Sequence, residues 1–264
     1  MTTTRRESRF RSLIHAPGAM ALGTWCKLPA MESVELVALA GFDFMVIDLE
    51  HSMLSVETAY RLIGTARLSG VSPLVRVPAL DPGLMQRLLD GGAEGLVLPH
   101  VDSASQAREA VSAARFPPLG RRGAGSTSRA GNWGALDRAE YTRYGQDEVV
   151  LVAQIESREA IRAATDIAAV KGIDALLVGA ADLSADAGLA EDDPVMTAMA
   201  SEVIKIATDA GLPVGNAGNG TGEAVRRALT AGYSFTMLSN DASLLGAALR
   251  SAAAGARAIT SGPA

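Results

Sequence analysis

Acidic side chains close two consecutive apolar segments in the second half of the 264-residue chain. One segment ends at Glu156 in Val-Ala-Gln-Ile-Glu, and the next ends at Asp182 in Val-Gly-Ala-Ala-Asp. An unpaired carboxylate at the edge of an apolar core is costly, so both acids indicate a bound partner. Two carboxylates that leave the other coordination positions to water and substrate suit Mg²⁺ or Mn²⁺, with Co²⁺ as a further option. In the structural alternative, Asp182 caps a turn and Glu156 pairs with Arg158.

A third apolar segment ends in Asp48-Leu-Glu50-His51, which adds an imidazole beside two carboxylates. His51 fits a general base near neutral pH, oriented by Asp48 or another acid. Arg76 interrupts the end of a fourth segment with a permanent charge, which predicts an anionic partner such as a substrate carboxylate or an enolate oxygen. A salt bridge from Arg76 to Asp48 or Glu50 is the structural alternative, and it is compatible with the catalytic role.

Four further residues fit secondary roles. His100 and Cys26 also fall at segment ends, but His100 lacks a neighbouring acid and Cys26 lacks a base, so both are interpreted as lining residues. Asp90 stands at the end of a predicted helix, where its charge opposes the helix dipole and indicates a partner. Of the three lysines, only Lys27 falls at the end of a segment. This scarcity favours activation of a carbonyl by metal over a Schiff base.

Short apolar runs alternate with longer helical patterns about eight times from residue 20 onward. The runs are mostly continuous and rich in Val, Leu and Ile, which is typical of parallel strands covered by helices. The predicted strands are 21–27, 44–50, 73–78, 95–101, 149–156, 175–179, 213–216 and 234–238. The predicted helices are 32–40, 55–69, 82–91, 103–116, 158–170, 194–210, 222–231 and 241–258.

Eight strand and helix pairs in a chain of this length predict a (β/α)8 barrel, whose active residues collect at the C-terminal ends of the strands. Because alternate residues of a strand share a face, we expect Gln154 and Glu156 to point together into the barrel mouth. A doubly wound open sheet is the alternative, although no Gly-x-Gly-x-x-Gly turn opens a first helix. The glycines expected in the left-handed conformation at helix ends are Gly41, Gly70, Gly91, Gly211 and Gly232.

Composition predicts one domain over residues 1–264. The chain is 48% hydrophobic and 20% charged with a net charge of −5, which fits a single large core and gives no reason to expect nucleic-acid binding. One cysteine and no zinc-type spacing predict a reducing cytoplasm. Residues 1–18 are predicted to form a lead-in helix rather than a signal peptide, and no segment is long enough to span a membrane. Residues 117–148 form a long loop insertion of open role, with a small helix at 136–144.

Six motifs follow one another in the order of a known enzyme family. They are Gly41-Phe-Asp leading into Ile47-Asp-Leu-Glu-His51, Val75-Arg76, Leu88-Leu-Asp-Gly-Gly92, Arg115-Phe-Pro-Pro-Leu-Gly-Arg-Arg-Gly123, Gln154-Ile-Glu156 and Gly179-Ala-Ala-Asp-Leu-Ser184. Over nearly all of residues 20–255 the chain resembles the metal-dependent class II pyruvate aldolases, typified by 4-hydroxy-2-oxoheptane-1,7-dioate aldolase and including 2-dehydro-3-deoxyglucarate aldolases.

This resemblance implies a TIM barrel of the phosphoenolpyruvate/pyruvate type. It also implies a homo-hexamer, a trimer of dimers, in which a neighbouring subunit completes the site and a C-terminal helix can be exchanged between subunits. In that family the arginine binds pyruvate and its enolate, and the histidine moves a proton. The residues implied are His51, Arg76, Asp48 and Asp90 for catalysis, Glu156 and Asp182 for metal binding, and Gln154, Gly179, Ala180, Ala181 and Arg76 for substrate binding.

Two positions depart from the family's usual motifs, because Ala180 stands where proline is common and Leu49 where glycine is common. Ala180 still leaves backbone N–H groups for a carboxylate, so we expect altered pyruvate affinity rather than an altered mechanism. The implied reaction is reversible retro-aldol cleavage of a 4-hydroxy-2-oxo acid into pyruvate and an aldehyde of open identity. Its rivals are decarboxylation of oxaloacetate through the same enolate and a metal-binding barrel without catalysis.

Overall fold

Eight parallel strands close into a barrel in the computed structural model, which describes residues 5–260. Each strand pairs with the next, and the last pairs with the first through Ala21 and Phe235. The (β/α)8 prediction is confirmed, and the open-sheet alternative is wrong because this closing pair leaves no sheet edge. The strands are β1 (Ala21–Cys26), β2 (Phe44–Asp48), β3 (Ser72–Arg76), β4 (Gly95–Leu98), β5 (Val150–Ile155), β6 (Ala175–Val178), β7 (Val214–Gly218) and β8 (Phe235–Asn240).

Helices follow the strands, and each of the eight predicted helices is present. None of the helices within residues 5–260 is long and apolar enough to cross a membrane. The helices are α1 (Arg9–Ile14), α2 (Met31–Leu39), α3 (Val56–Leu68), α4 (Pro82–Asp90), α5 (Ala104–Ala114), α6 (Arg138–Arg143), α7 (Arg158–Ala168), α8 (Ala180–Ala187), α9 (Pro194–Asp209), α10 (Gly222–Ala231) and α11 (Asp241–Thr260).

One of the five glycines predicted to end a helix does not adopt the left-handed conformation. Gly91 has a helical φ of −61°, and the left-handed turn falls one residue later, at Gly92 with φ of +100°. The N–H of Gly91 still donates to the carbonyl of Arg87, so Gly91 caps α4 in a helical conformation and the left-handed residue follows it. The other four predicted glycines do adopt positive φ.

Side chains alternate between the barrel interior and the helical layer. In β2, Phe44 and Val46 pack inside the barrel, whereas Met45 and Ile47 pack outward against helices. The same alternation places Val150 and Val152 of β5 inside. Continuing each interior row by two residues brings Asp48 and Gln154 to the end of the barrel at which the strands finish. That end is called the top here, and the opposite end the bottom.

A short helix seals the bottom of the barrel. Ser8 caps α1 by accepting from the N–H of Arg11, and the helix inserts Phe10 between two interior rings. The ring centroids of Phe10 lie 4.8 Å from Phe44 and 5.6 Å from Phe235. The helix described here spans Arg9–Ile14 of the predicted 1–18 segment, of which residues 1–4 lie outside the described part. The bottom of the barrel interior is therefore packed, whereas the top opens into a cavity.

The long connection between α5 and β5 packs against the outer faces of α3 and α4. It contains a tight turn at Arg129–Gly134, then α6, then a wide helical turn at Tyr144–Glu148. Arg129 donates to the carbonyls of Tyr60 and Gly91, and its guanidinium lies 3.7 Å from the ring centre of Tyr60. No described residue of this connection lines the cavity at the top of the same barrel.

Candidate active site

A cavity of about 410 Å³ opens at the top of the barrel. Its volume is in the range of small-molecule sites, and polar side chains converge on it from several strands. The predicted residues that line it are His51, Arg76, Gln154, Gly179, Ala180, Ala181 and Asp182. Its other lining residues are Trp25, Lys27, Leu177, Val178, Glu191, Ala217, Gly218, Asn219, Ser239 and Asn240.

Arg76 is held at the cavity floor by two acids. Its Nε and Nη2 donate to the two carboxylate oxygens of Asp48 at 2.9 and 2.8 Å, and its Nη1 lies 3.0 Å from Glu50 Oε2. The ring of Trp25 stacks 4.2 Å from the guanidinium carbon, a favourable cation–π contact. A guanidinium has five N–H donors, so two are left for an anion in the cavity. The predicted salt bridge and the predicted anion-binding role are thus compatible in this geometry.

Asp48 is an ionised carboxylate paired with Arg76. Its side chain is fully buried, and burial alone would raise its pKa. The hydrogen bonds and charge of Arg76, the N–H of His51 and the ammonium of Lys27 outweigh burial and lower the pKa of Asp48 below its ordinary value. A permanent negative charge therefore fixes the position of Arg76.

Glu156 has the opposite electrostatic environment. Burial is the largest cause that raises its pKa, and the negative charges of Asp182 and Glu50 raise it further, against a lowering contribution from His100. Gln154 donates from Nε2 to Glu156 Oε2, which confirms that the two side chains share a face. The other amide atom, Gln154 Oε1, is buried without a partner among the described residues. Glu156 does not itself line the cavity but lies behind Gln154 and Gly179, which do. This corner therefore has excess negative charge and one unused acceptor.

A hard divalent cation fits this corner. Carboxylate and amide oxygens are the ligands that such ions prefer, and a cation would relieve the repulsion between Glu156 and Asp182. Gly179 backs the corner so closely that an added Cβ would lie 2.7 Å from the Cβ of Glu156 and 3.0 Å from its Oε2. Within residues 5–260, no three His, Cys, Asp or Glu side chains converge to hold a metal unaided. The residues therefore fit an ion that also takes ligands from water and substrate.

The N-terminus of α8 borders the same corner. Gly179 precedes the helix and provides no side-chain cap, so the first N–H groups of α8 remain available beside Ala180 and Ala181. Asp182 lies in the first turn of this helix and not at the end of a strand, as the sequence pattern indicated. The strand already stops at Val178, and Ala-Ala-Asp-Leu then continues in helical conformation.

His51 is at the cavity rim with its imidazole about half exposed. Its Nε2 lies 3.8 Å from Glu50 Oε2, and its backbone N–H donates to Asp48 Oδ1 at 3.1 Å. Asp48 therefore fixes the backbone at this position, while Glu50 is the acid nearest to the ring.

His100 is a residue that sequence reasoning misjudged. Its Nε2 lies 3.1 Å from Glu50 Oε1, its Nδ1 lies 3.2 Å from Glu156 Oε1, and its N–H donates to that same oxygen at 2.6 Å. The interpretation that it lacks a neighbouring acid is wrong, because both acids come from other strands. Its φ of +53° is unusual for a residue with a Cβ. The predicted strand order could have shown this contact. In the barrel β4 pairs with β5, so the residues after β4 lie beside Glu156.

The sequence pattern of the HpcH/HpaI aldolase/citrate lyase family matches residues 22–245. This range contains every residue that lines the cavity. The chain belongs to the HpcH/HpaI aldolase/citrate lyase family. It is a carbon–carbon lyase of the aldolase type, and the resemblance to class II pyruvate aldolases is confirmed.

Several relatives of this aldolase match most of its length. The 4-hydroxy-2-oxo-heptane-1,7-dioate aldolase of Escherichia coli is 35% identical over 255 residues, which is 94% of each chain. The 2-dehydro-3,6-dideoxy-6-sulfogluconate aldolase of Pseudomonas putida is 36% identical over 226 residues, covering 85% of this chain and 88% of its own. The crystal structure of an HpcH/HpaI aldolase/citrate lyase family protein from Burkholderia cenocepacia superposes with a TM-score of 0.88 at 31% identity, covering 95% of this chain and 100% of its own.

Asp90 lies outside this cavity in the aldolase chain. It ends α4 at the bottom of the barrel, where Oδ1 accepts from Arg122 at 2.7 Å and from the hydroxyl of Tyr141 at 3.3 Å. Arg122 is the partner that its position at a helix end indicated. Within one chain, therefore, the structure does not bring Asp90 to the other predicted catalytic residues.

Lys27 and Cys26 differ in their access to the cavity. The Lys27 ammonium lines it and lies 3.3 Å from Asp48 Oδ2. Cys26, the preceding residue, is fully buried. Its burial raises the pKa of the thiol, and the nearby negative charge of Asp241 raises it further. A buried thiol with a raised pKa is unreactive, so Cys26 contributes packing alone.

Proposed function

We propose that this aldolase reversibly cleaves a 4-hydroxy-2-oxo acid into pyruvate and an aldehyde, with a divalent cation bound by Glu156 and Asp182. One observation carries the proposal: Asp182 and the two free N–H donors of Arg76 face a single cavity, and the buried Glu156 lies directly behind its lining residues Gln154 and Gly179. A 2-oxo acid suits such a site because its keto and carboxylate oxygens are adjacent. The N–H groups at the start of α8 provide a second position for its carboxylate.

The cation would be held by the two carboxylates together with Gln154 Oε1, and Mg²⁺ or Mn²⁺ fits this oxygen set better than a softer metal. When bound, it supplies Lewis-acid polarisation of a carbonyl. Lys27 is poorly placed for the Schiff-base alternative, since it faces the buried carboxylate of Asp48 at 3.3 Å rather than an apolar wall.

Arg76 stabilises the charge that develops during cleavage. As the bond between C3 and C4 breaks, its electrons pass into the pyruvate half and negative charge builds on the enolate oxygen. The two unused N–H groups of Arg76 face that charge, and the pairing with Asp48 and stacking on Trp25 keep them in position beforehand. Donors that need no reorganisation during the reaction are worth most to catalysis.

His51 moves the proton of the substrate hydroxyl. In cleavage it accepts the C4 hydroxyl proton as the carbonyl of the aldehyde forms, and in the reverse reaction it returns that proton. Glu50 is the acid that faces its imidazole. Decarboxylation of oxaloacetate has no hydroxyl proton to move, so the rival reaction does not need this step.

Pyruvate release from a panel of 4-hydroxy-2-oxo acids tests the proposal. We expect metal-stripped protein to release little pyruvate and added Mg²⁺ or Mn²⁺ to restore release. Equal release without metal would contradict the metal role and point to Lys27. No release from any member of the panel or from oxaloacetate would favour the non-catalytic barrel.

A His51→Asn variant separates the aldolase from the decarboxylase reading. The imidazole moves a proton only in aldol cleavage, so cleavage should fall about a hundredfold or more while oxaloacetate decarboxylation falls much less. Equal losses in the two reactions would contradict the role given to His51.

The hexamer implied by the family resemblance is also a proposal. Helix α11 presents Leu244, Leu245, Leu249 and Ile259 to solvent in a single chain, which suits exchange with a neighbour. At the bottom, Arg122 is buried, yet its Nε and Nη1 have no partner among residues 5–260. We propose that this pair of Arg122 and Asp90 meets the site of a neighbouring subunit.

Subunit complementation tests that arrangement. Mixed hexamers of Asp90→Asn and Arg76→Lys chains should regain activity that neither variant has alone, because some sites then receive intact parts from both chains. Sedimentation gives the oligomeric state independently. Additive behaviour of the mixture would contradict a shared site.

A further inference from the structure

The cavity wall away from the metal corner is built from hydrogen-bond donors. Its polar side chains lie at the C-terminal ends of β7, β8 and β1, which are neighbours in the barrel, whereas Glu156 and Asp182 follow β5 and β6. The proposed function places the pyruvate half of the substrate at Arg76 and the metal corner, which leaves this wall for the aldehyde half. The residues of this donor wall are Lys27, Asn219, Ser239 and Asn240.

Local hydrogen bonds fix which atoms of the two amides are available. Asn219 Oδ1 accepts from the hydroxyl of Thr221 at 2.8 Å, and Asn240 Oδ1 accepts from the N–H of Ser243 at 2.8 Å. Both amide oxygens are thus engaged in starting α10 and α11. The amide nitrogens have no acceptor among the described residues and remain as donors at the cavity.

Lys27 adds charge to the donor wall. Its ammonium has three N–H groups, and among residues 5–260 the one acid paired with it is Asp48, at 3.3 Å. Both oxygens of Asp48 already accept from Arg76, at 2.9 and 2.8 Å. Lys27 is therefore not needed to neutralise Asp48, and at least two of its donors are free for a ligand.

We propose that the donor wall binds a negatively charged group at the far end of the aldehyde. A carboxylate, sulfonate or phosphate accepts hydrogen bonds and donates none, which matches a wall whose free groups are the Lys27 ammonium and the amide N–H groups of Asn219 and Asn240. A neutral hydroxyl would also need an acceptor for its own proton. This proposal rests on the proposed retro-aldol function and assigns its aldehyde specificity to residues outside the metal corner.

Two further features bear on the donor wall. Ser239 has a φ of +57°, a strained conformation for a residue with a Cβ and one that is concentrated at ligand sites. Glu191 lines the same cavity from an exposed position before α9 and carries the opposite charge. It opposes an anion at the rim, so the bound group must lie closer to Lys27 than to Glu191.

Aldol addition of pyruvate to matched aldehydes tests the donor wall. One pair is succinic semialdehyde and pentanal, and the other is glyceraldehyde 3-phosphate and glyceraldehyde. The quantity measured is the ratio of kcat/KM for the charged member to that for the neutral member. A general loss in the pyruvate half cancels from this ratio, so it reports the aldehyde half alone. The pair that gives the larger ratio identifies the anion as carboxylate or phosphate.

Lys27→Met should lower the ratio about tenfold or more, because it removes a charge-assisted hydrogen bond. Asn240→Asp should lower it similarly, since aspartate keeps the helix cap but replaces the donor with a negative charge. Glu191→Gln should raise it. Lys205→Met is the matched control: Lys205 pairs with Asp209 on an exposed face, so the ratio should stay unchanged.

Each outcome decides the proposal. Ratios near one in the unmodified protein would overturn it, as would a Lys27→Met variant that loses both aldehydes equally. Neither result would touch the proposed function, which fails only if pyruvate is not consumed with any aldehyde. A ratio that falls in both wall variants and rises in Glu191→Gln supports the donor wall.

Discussion

The two ends of the barrel both bury charged side chains, but they differ in how those charges are balanced. At the bottom, Arg115 donates to Asp174 at 2.8 Å and to the carbonyls of Gly145 and Val149 at 3.0 and 2.9 Å. Asp174 in turn accepts from the N–H of Leu151 and from Arg11. Each of these groups has a partner of opposite charge or polarity.

At the top, Arg76 balances Asp48, but the acids around Glu156 are not balanced. The negative charges of Asp182 and Glu50 raise the pKa of the buried Glu156, and Gln154 Oε1 has no hydrogen-bond partner among residues 5–260. A fold does not gain stability from such an arrangement. The difference teaches that balanced buried charge holds the barrel together, whereas unbalanced buried charge marks the place where a ligand binds.

Removing a balanced charge should cost stability and spare function. We expect Arg115→Met to lower the free energy of unfolding by about 2 kcal/mol, because the partly buried Asp174 loses one of its two cations and the carbonyls of Gly145 and Val149 lose their donor. Urea denaturation measures this loss. The kcat/KM per folded molecule should stay within about threefold, since Arg115 is remote from the cavity. Unchanged stability would contradict the contrast between the two ends.

Arg76→Lys should have the reverse effect. Lysine keeps the positive charge beside Asp48 but loses the fork of donors, so kcat/KM should fall about 10²- to 10³-fold with only a small change in unfolding midpoint. Steady-state pyruvate release and thermal unfolding on the same samples give both quantities. A variant that unfolds easily yet cleaves normally would reverse the roles assigned to the two ends.

His100→Asn should weaken metal binding about 10- to 100-fold, because the ring N–H that orients Glu156 is lost. Asparagine tolerates the positive φ at this position, so the backbone should be kept. Mn²⁺ titration followed by calorimetry measures the affinity directly. His15→Asn, a change after α1 at the bottom, is the matched control and should leave the affinity unaltered.

The pH dependence of stability should report Asp48. Its folded-state pKa is lowered, so its ionised form stabilises the fold above the unfolded-state pKa of about 4. This contribution is lost as the pH falls through the folded-state pKa. The difference in unfolding free energy between the wild type and Asp48→Asn should therefore shrink below about pH 4. A difference that stays constant down to pH 3 would contradict the pairing with Arg76.

Much of the barrel and part of its site could be predicted from the sequence because both depend on local patterns. Continuous apolar runs gave the strands, and the two-residue repeat correctly placed Gln154 and Glu156 on one face. An arginine within an apolar run and an acid at its end are also local signals. Arg76 and Asp182 could be singled out in this way before any contact was known.

The remaining parts depend on contacts between segments that are distant in sequence. His100 receives its acids from β2 and β5, so its own neighbourhood in the chain gives no sign of them. Trp25 supports the site by stacking on Arg76, which belongs to a different strand, so its own sequence neighbours do not indicate this contact. The partner of Asp90 comes from the connection after α5, which no periodic pattern could position.

Thermal unfolding of a Glu156→Gln variant, with and without Mn²⁺, tests the central claim most directly. A raised pKa means that ionised Glu156 costs folding stability at neutral pH, so without metal the neutral glutamine should raise the unfolding temperature by about 2–4 °C. Mn²⁺ should then stabilise the wild type and leave the variant unchanged. A variant that is less stable than the wild type without metal would contradict the claim that this corner of the barrel is built for a cation.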